Sequence, residues 1–140
     1  MKENDVHYLV IGGIAAVLYG IPRTTFDLDI FIEPTMENAG NLLKAFLNAG
    51  LITADLTSAE ELLKNEITVF KDVVRIDVQT QTPGVVFSEA WNHKNIMSYE
   101  GQDILVVSLE DLIASKEASN RDVDKQDVAL LKRYGNNKEK

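Results

Sequence analysis

Two adjacent glycines, Gly12 and Gly13, interrupt the longest apolar stretch of the chain, Tyr8 to Tyr19. The interruption decides what that stretch can become. It is much shorter than the ~20 residues that a bilayer-spanning helix needs, and a glycine pair weakens any regular element that runs through it. The residues before the pair, His7-Tyr8-Leu9-Val10-Ile11, are β-rich and apolar, which predicts a buried strand. Those after it, Ile14 to Tyr19, predict a short, nearly all-apolar helix stopped by Gly20 and Pro22. A strand that enters a helix through two glycines gathers backbone N–H groups at a point where an anion can sit. The pair is equally compatible with a plain tight turn.

The same punctuation recurs down the chain. Phe26 to Glu33 reads as a second strand, ended by Pro34. Thr35 can cap a helix running to Asn48, with Leu42, Leu43, Phe46 and Leu47 on its inner face and Gly50 past its end. Ser58-Ala-Glu-Glu61 and Ser108-Leu-Glu-Asp111 have the form of capping boxes, and predict helices reaching Lys64 and Ala118. Strands over 66–70 and 73–80 flank Lys71-Asp72 and predict a hairpin; strands over 95–99 and 103–107 flank Glu100-Gly101-Gln102 and predict another. Pro83-Gly84 turns the chain ahead of a helical segment from Val85 to Trp91, and Asp122 to Tyr134 reads as the last helix. This order predicts an α+β protein with a mixed β-sheet flanked by helices. No repeat, low-complexity tract or linker interrupts it, so residues 1–134 read as one domain, followed by a polar tail, 135–140, expected to fray.

Composition narrows the chemistry. The 140 residues include no cysteine, which excludes disulfides, thiolate metal sites and cysteine nucleophiles together. Met1-Lys2-Glu3-Asn4-Asp5 carries two acids, unlike a signal peptide, so a cytoplasmic protein with no membrane contact is expected. Fourteen basic residues stand against 22 acidic ones, for a net charge of −8. A chain this acidic is not built to grip nucleic acid through its phosphates. The acids are either a solvated surface or, in part, a cluster that needs a cation.

Phe26-Asp27-Leu28-Asp29-Ile30-Phe31-Ile32 bears on that choice. Side chains alternate along a strand, so Leu28, Ile30 and Ile32 share the face suited to the core while Asp27 and Asp29 share the other. Two carboxylates so close repel each other, and oxygen ligands converging on a hard cation are a reason to keep both. The bland alternative is an exposed strand face that carries two acids. In Val74-Arg75-Ile76-Asp77-Val78 the same alternation turns Ile76 and Val78 inward and Asp77 outward. If this strand lies beside the first, Asp77 is a third carboxylate at the same place, and three can hold two divalent ions. Alternatively, Asp77 pairs with Arg75 or Lys71.

Taken together, Val10-Ile-Gly12-Gly13, then Gly20-x-x-Arg23-x-Thr25-x-Asp27-Leu28-Asp29, resemble the signature of the polymerase-β-like nucleotidyltransferase superfamily, in the variant of its small prokaryotic members. Some of those are minimal stand-alone proteins and others are toxin components of toxin–antitoxin systems. Asp77 stands where the superfamily carries its third carboxylate, on a later strand. Lys116 followed by Arg121-x-x-Asp124-x-x-Asp127 is similar to the helical pattern that closes many of these small domains.

The resemblance implies a Mg²⁺-dependent transfer of an NMP group from an NTP to an acceptor hydroxyl, with release of pyrophosphate. Asp27, Asp29 and Asp77 would be the catalytic carboxylates and would bind Mg²⁺, two ions in all. Gly12 and Gly13 would cradle the triphosphate, Arg23 would touch phosphate and Thr25 would support the loop. An inactive copy of the fold serving as half of a two-protein complex is the competing reading. A domain this small leaves little material for an acceptor, which favours a partner protein or a homodimer. An RNA acceptor is disfavoured by the net charge. Lys116 either reaches phosphate or pairs with Asp124 or Asp127 of the next helix, and the pairing is preferred because ion networks between paired helices are common. Asp124 and Asp127, one turn apart on one face, are expected to tie that helix to Arg121 or Lys116. The two histidines, His7 and His93, lie far apart, and no Gly-x-Ser-x-Gly elbow exists to make a serine hydrolase. Phe87 and Trp91 are read as core or interface.

Overall fold

The computed structural model describes residues 5–22, 27–72, 74–119 and 121–135. Its elements follow in the order β1 (Tyr8–Ile11), α1 (Gly12–Leu18), β2 (Leu28–Ile32), α2 (Met36–Asn48), α3 (Ala59–Lys64), β3 (Ile67–Lys71), β4 (Arg75–Gln79), α4 (Phe87–His93), β5 (Asn95–Tyr99), β6 (Gln102–Val106), α5 (Leu109–Glu117) and α6 (Asp122–Leu130). The fold is α+β, as the sequence predicts. The strands form one mixed sheet in the order β3-β4-β2-β1-β6-β5.

The two hairpins are local and antiparallel, β3 on β4 and β5 on β6. Every other pairing joins segments distant in the chain. The central strand β1 runs antiparallel to β2 and parallel to β6, and β2 runs parallel to β4.

The strand alternation sorts side chains as expected. Ile30, Ile32 and Val78 are fully buried, and Ile76 nearly so. On this face Phe46 of α2 meets Phe70 of β3 edge-on at 5.1 Å. The opposite face is covered over β2 by α4, where Phe87 meets Phe31 edge-on at 5.2 Å. Burial of side chains of this size contributes ~1.5–3 kcal/mol each, so these two contacts anchor the helices to the sheet.

The caps form where the sequence places them. Thr35, Ser58 and Ser108 each accept a hydrogen bond from the backbone N–H three residues on, at 3.2, 3.2 and 3.1 Å. The buried Asn38 ties the start of α2 to the sheet: its amide donates to the carbonyls of His7 and Glu33 and accepts from the His7 N–H. The Tyr19 hydroxyl donates to the Val107 carbonyl at 2.7 Å, joining the end of α1 to the end of β6.

Several strand bounds differ from expectation by a residue or two, and α4 spans Phe87–His93 rather than Val85 to Trp91. Other differences change more of the structure. Helix α1 begins at Gly12 rather than Ile14, so both glycines sit at its start. Strand β2 begins at Leu28, which leaves Asp27 just ahead of it. A 3-10 turn over Ile52–Leu56 has no sequence signal; it is held from the far side of the chain, where the Asp72 carboxylate accepts from the Thr53 N–H and hydroxyl. The last helix changes at Leu131 into a π turn running to Gly135. Of the segment expected to fray, only Gly135 lies within the described residues.

Candidate active site

The site lies on the open part of the sheet face, where β2 and β4 run side by side. Parallel pairing sets Leu28 opposite Ile76, Asp29 opposite Asp77 and Ile30 opposite Val78. Neighbouring strands lie about 4.8 Å apart, so this register brings the carboxyl groups of Asp29 and Asp77 within hydrogen-bonding reach. A cavity of about 560 Å³ opens over them. Asp27, Asp29 and Asp77 all line it, and so do Gly12 and Gly13. The five residues thus share one cavity, although Asp27 is an exposed residue ahead of the strand rather than within it. Arg23 and Thr25 lie outside the described residues.

The electrostatics are those of crowded acids. Burial, then the neighbouring Asp77 carboxylate, push Asp29 up to about 6 from an ordinary value of 3.8. Both effects disfavour a second negative charge at this spot. Among the described residues a cation, Arg75, lies directly against the cluster, two residues before Asp77 on the same face of β4. Its Nε donates to Asp77 Oδ1 at 2.9 Å and its Nη2 to Asp77 Oδ2 at 3.3 Å. The same Nε lies 4.0 Å from Asp27 Oδ2.

Gly12 is bound to this arrangement by two constraints. Its φ of +70° lies in the left-handed region, and a Cβ there would collide with the Asp29 carboxylate. The backbone of the β1–α1 junction therefore lies directly against a site carboxylate, an approach that any side chain would block. Gly84 has a comparable role on the rim. Its φ is +79°, and a Cβ would stand 2.7 Å from the Ala114 carbonyl, so the Pro83-Gly84 turn packs tightly on α5.

The opposite wall comes from α5 and α6. Lys116 is 4% exposed, and its ammonium donates to Asp124 at 3.3 Å and to Asp127 at 3.0 Å. Pairing, not a free ammonium, is thus the state of Lys116 here. Asp124 also accepts from the Ser119 hydroxyl at 2.6 Å and from Arg121 Nε at 2.8 Å. Burial alone would raise the Asp124 carboxyl, but the bonds from Arg121 and Ser119 and the charge of Lys116 overcome it and hold the group below its usual range. Lys116, Arg121 and Asp124 line the same cavity as the three aspartates, and the positive charge of Arg121 acts on Asp29.

Three hard oxygen donors on one half-open face suit a divalent ion such as Mg²⁺. The raised Asp29, with Asp77 at hydrogen-bonding distance, marks negative charge that a cation would relieve. Among the described residues, no three acidic or histidine side chains converge on a single ligating point in this arrangement; the guanidinium of Arg75 lies on Asp77 instead. It is the donor chemistry of Asp27, Asp29 and Asp77, all lining one cavity, that suits such an ion.

Residues 1–132 match the family described as "Nucleotidyltransferase of unknown function (DUF6036)". The chain belongs to this family. The fold agrees: the crystal structure of TM1012 from Thermotoga maritima, described as a "putative nucleotidyltransferase", superposes with a TM-score of 0.52 over 98% of this chain and 86% of that one, at 17% sequence identity. At that identity the likeness speaks for the fold alone. No curated protein matches the sequence. Nucleotidyl transfer as a general class therefore rests on the family. Among the described residues no helix is long and apolar enough to cross a membrane.

The sequence reading missed the breadth of the Arg75 contact, which reaches Asp27 as well as Asp77. The alternation of Arg75 and Asp77 on one strand face was the available signal. It also missed that Lys116 and Asp124 wall the same cavity as the aspartates, for which no local signal exists.

Proposed function

We propose that this chain is a divalent-cation-dependent nucleotidyltransferase that moves an NMP group from an NTP to an acceptor hydroxyl. The observation that carries this reading is the in-register pair Asp29 and Asp77, with Asp27 beside them, on a cavity whose wall is the Gly12-Gly13 junction. Asp27, Asp29 and Asp77 would hold Mg²⁺, which when bound supplies positive charge to offset the triphosphate. The residues themselves do the remaining work. The bare backbone at Gly12 and Gly13 lets phosphate oxygens approach the carboxylates without a side chain between them. Asp77, half-buried beside Asp29 on the same cavity, takes the proton from the acceptor hydroxyl. The acceptor oxygen then bonds to the α-phosphorus as the bond from that phosphorus to the β-phosphate bridge breaks, and pyrophosphate leaves. Positioning and charge stabilisation supply most of the acceleration.

The net charge of −8 favours a small-molecule or protein acceptor over RNA held by phosphate contacts. We read the protein as cytoplasmic, working with a partner chain or a second copy that contributes acceptor contacts. The test is transfer of label from α-³²P NTPs, in Mg²⁺ and cell extract, to any acceptor. Labelling that is lost in the Asp27→Asn, Asp29→Asn double variant is expected. A folded wild-type protein that neither binds an NTP with Mg²⁺ nor labels any acceptor would instead support the inactive-module reading.

A further inference from the structure

The geometry points to Arg75 as a latch on the carboxylate site: its guanidinium closes Asp77 in the metal-free protein and leaves when a divalent cation binds. The inference rests on the proposed reading in taking Asp27, Asp29 and Asp77 as the cation's ligands.

Both oxygens of Asp77 are engaged by the same guanidinium, Oδ1 by Nε at 2.9 Å and Oδ2 by Nη2 at 3.3 Å. This forked, charge-assisted geometry is the strongest form of the arginine–carboxylate contact. A dication ligated by either oxygen would stand against the guanidinium with like charge, so the two cannot share Asp77. The fork also leans on Asp27, 4.0 Å from its Oδ2. One side chain therefore spans two of the three proposed ligands.

The position of Arg75 makes the contact displaceable. Its side chain is 42% exposed, so water can receive it at little cost. Directly opposite it on β3 stands Lys71. Like charges opposed across strands repel, which favours a guanidinium turned towards the acids while they lack another cation. A doubly charged ion placed among the three carboxylates removes that attraction. The apparent affinity for the ion is then its intrinsic affinity reduced by the fraction of molecules in which the latch is open. An arginine that only braced β4 would leave the ion's affinity unchanged.

The experiment is calorimetric titration of Mn²⁺, without nucleotide, into the full wild-type chain and into Arg75→Gln and Arg75→Lys, with folding checked by circular dichroism. Arg75→Gln should bind Mn²⁺ about three- to tenfold more tightly than wild type, the range expected for opening a half-exposed charge-assisted contact. Arg75→Lys keeps the charge but loses the fork, and should fall between the two; it carries the test alone if the glutamine variant does not fold. Wild-type binding that either folded variant matches or weakens overturns the latch and leaves the cation site standing. No Mn²⁺ binding by any folded protein overturns the cation site and the latch with it.

Discussion

Asp29 and Asp77 face each other in register across the parallel strands β2 and β4, with their carboxyl groups within hydrogen-bonding reach. Parallel pairing at this point opposes two acids, and burial leaves Asp29 poorly solvated. Such a pair lowers stability unless a proton or a cation lies between its members. The pair therefore sets a pH dependence.

The folded-state value of Asp29, about 6, lies above its ordinary 3.8. A carboxyl raised on folding contributes stability below its unfolded value, and that contribution is lost as pH rises through the folded value. The metal-free protein should therefore lose stability between about pH 4 and pH 7. The shift corresponds to roughly 2 kcal/mol once solvent screening of this half-buried group is allowed for. Asp29→Asn should remove that part of the slope and be the more stable protein above pH 7, while losing cation binding. Urea unfolding of both proteins in EDTA across this pH range measures the difference; parallel curves would contradict the prediction.

Gly12→Ala should be costly twice over. The left-handed φ of +70° penalises any side chain, and the added Cβ meets the Asp29 carboxylate. A loss of about 2–3 kcal/mol is expected, together with weakened Mn²⁺ binding because Asp29 must move. Gly101→Ala is the control: its φ is +80° but a Cβ there meets nothing within 4 Å. It should lose stability without changing Mn²⁺ affinity in the same calorimetric titration.

Lys116→Ala removes the ammonium shared by two buried carboxylates, Asp124 and Asp127. Breaking a buried pair from one side typically costs about 3–5 kcal/mol. Arg121 and Ser119 still serve Asp124, so the expected loss lies at the low end of that range. Lys116→Ala with Asp127→Asn should recover part of it, and a double-mutant cycle in urea measures the coupling. Strict additivity would count against a shared network.

Asn38→Ala deletes a donor to two carbonyls and an acceptor for the His7 N–H in one substitution. Partly buried groups that lose such partners cost about 1–3 kcal/mol. Thermal melting should drop by several degrees. Proton exchange of the amides in β1 should quicken, since His7 is the residue that leads into it.

Much of this molecule is legible in local patterns. Alternation along two short strands turned Asp29 and Asp77 away from the core, because side chains on a strand must face opposite ways. Thr35, Ser58 and Ser108 marked helix starts because their hydroxyls satisfy N–H groups that the helix leaves unpaired. The two hairpins followed from apolar runs separated by short polar turns. All of these are properties of neighbouring residues. That β4 lies beside β2, parallel and with Asp77 level with Asp29, follows from no local pattern, since two strands far apart in the chain can pair in many registers. Packing of the whole sheet selects one. The same packing stretches Arg75 from Asp77 towards Asp27 and closes the cavity with the Lys116, Asp124 and Arg121 wall. The sequence determined which acids would face away from the core; tertiary structure decided that they would meet, because only the assembled sheet brings distant strands within the reach of a side chain.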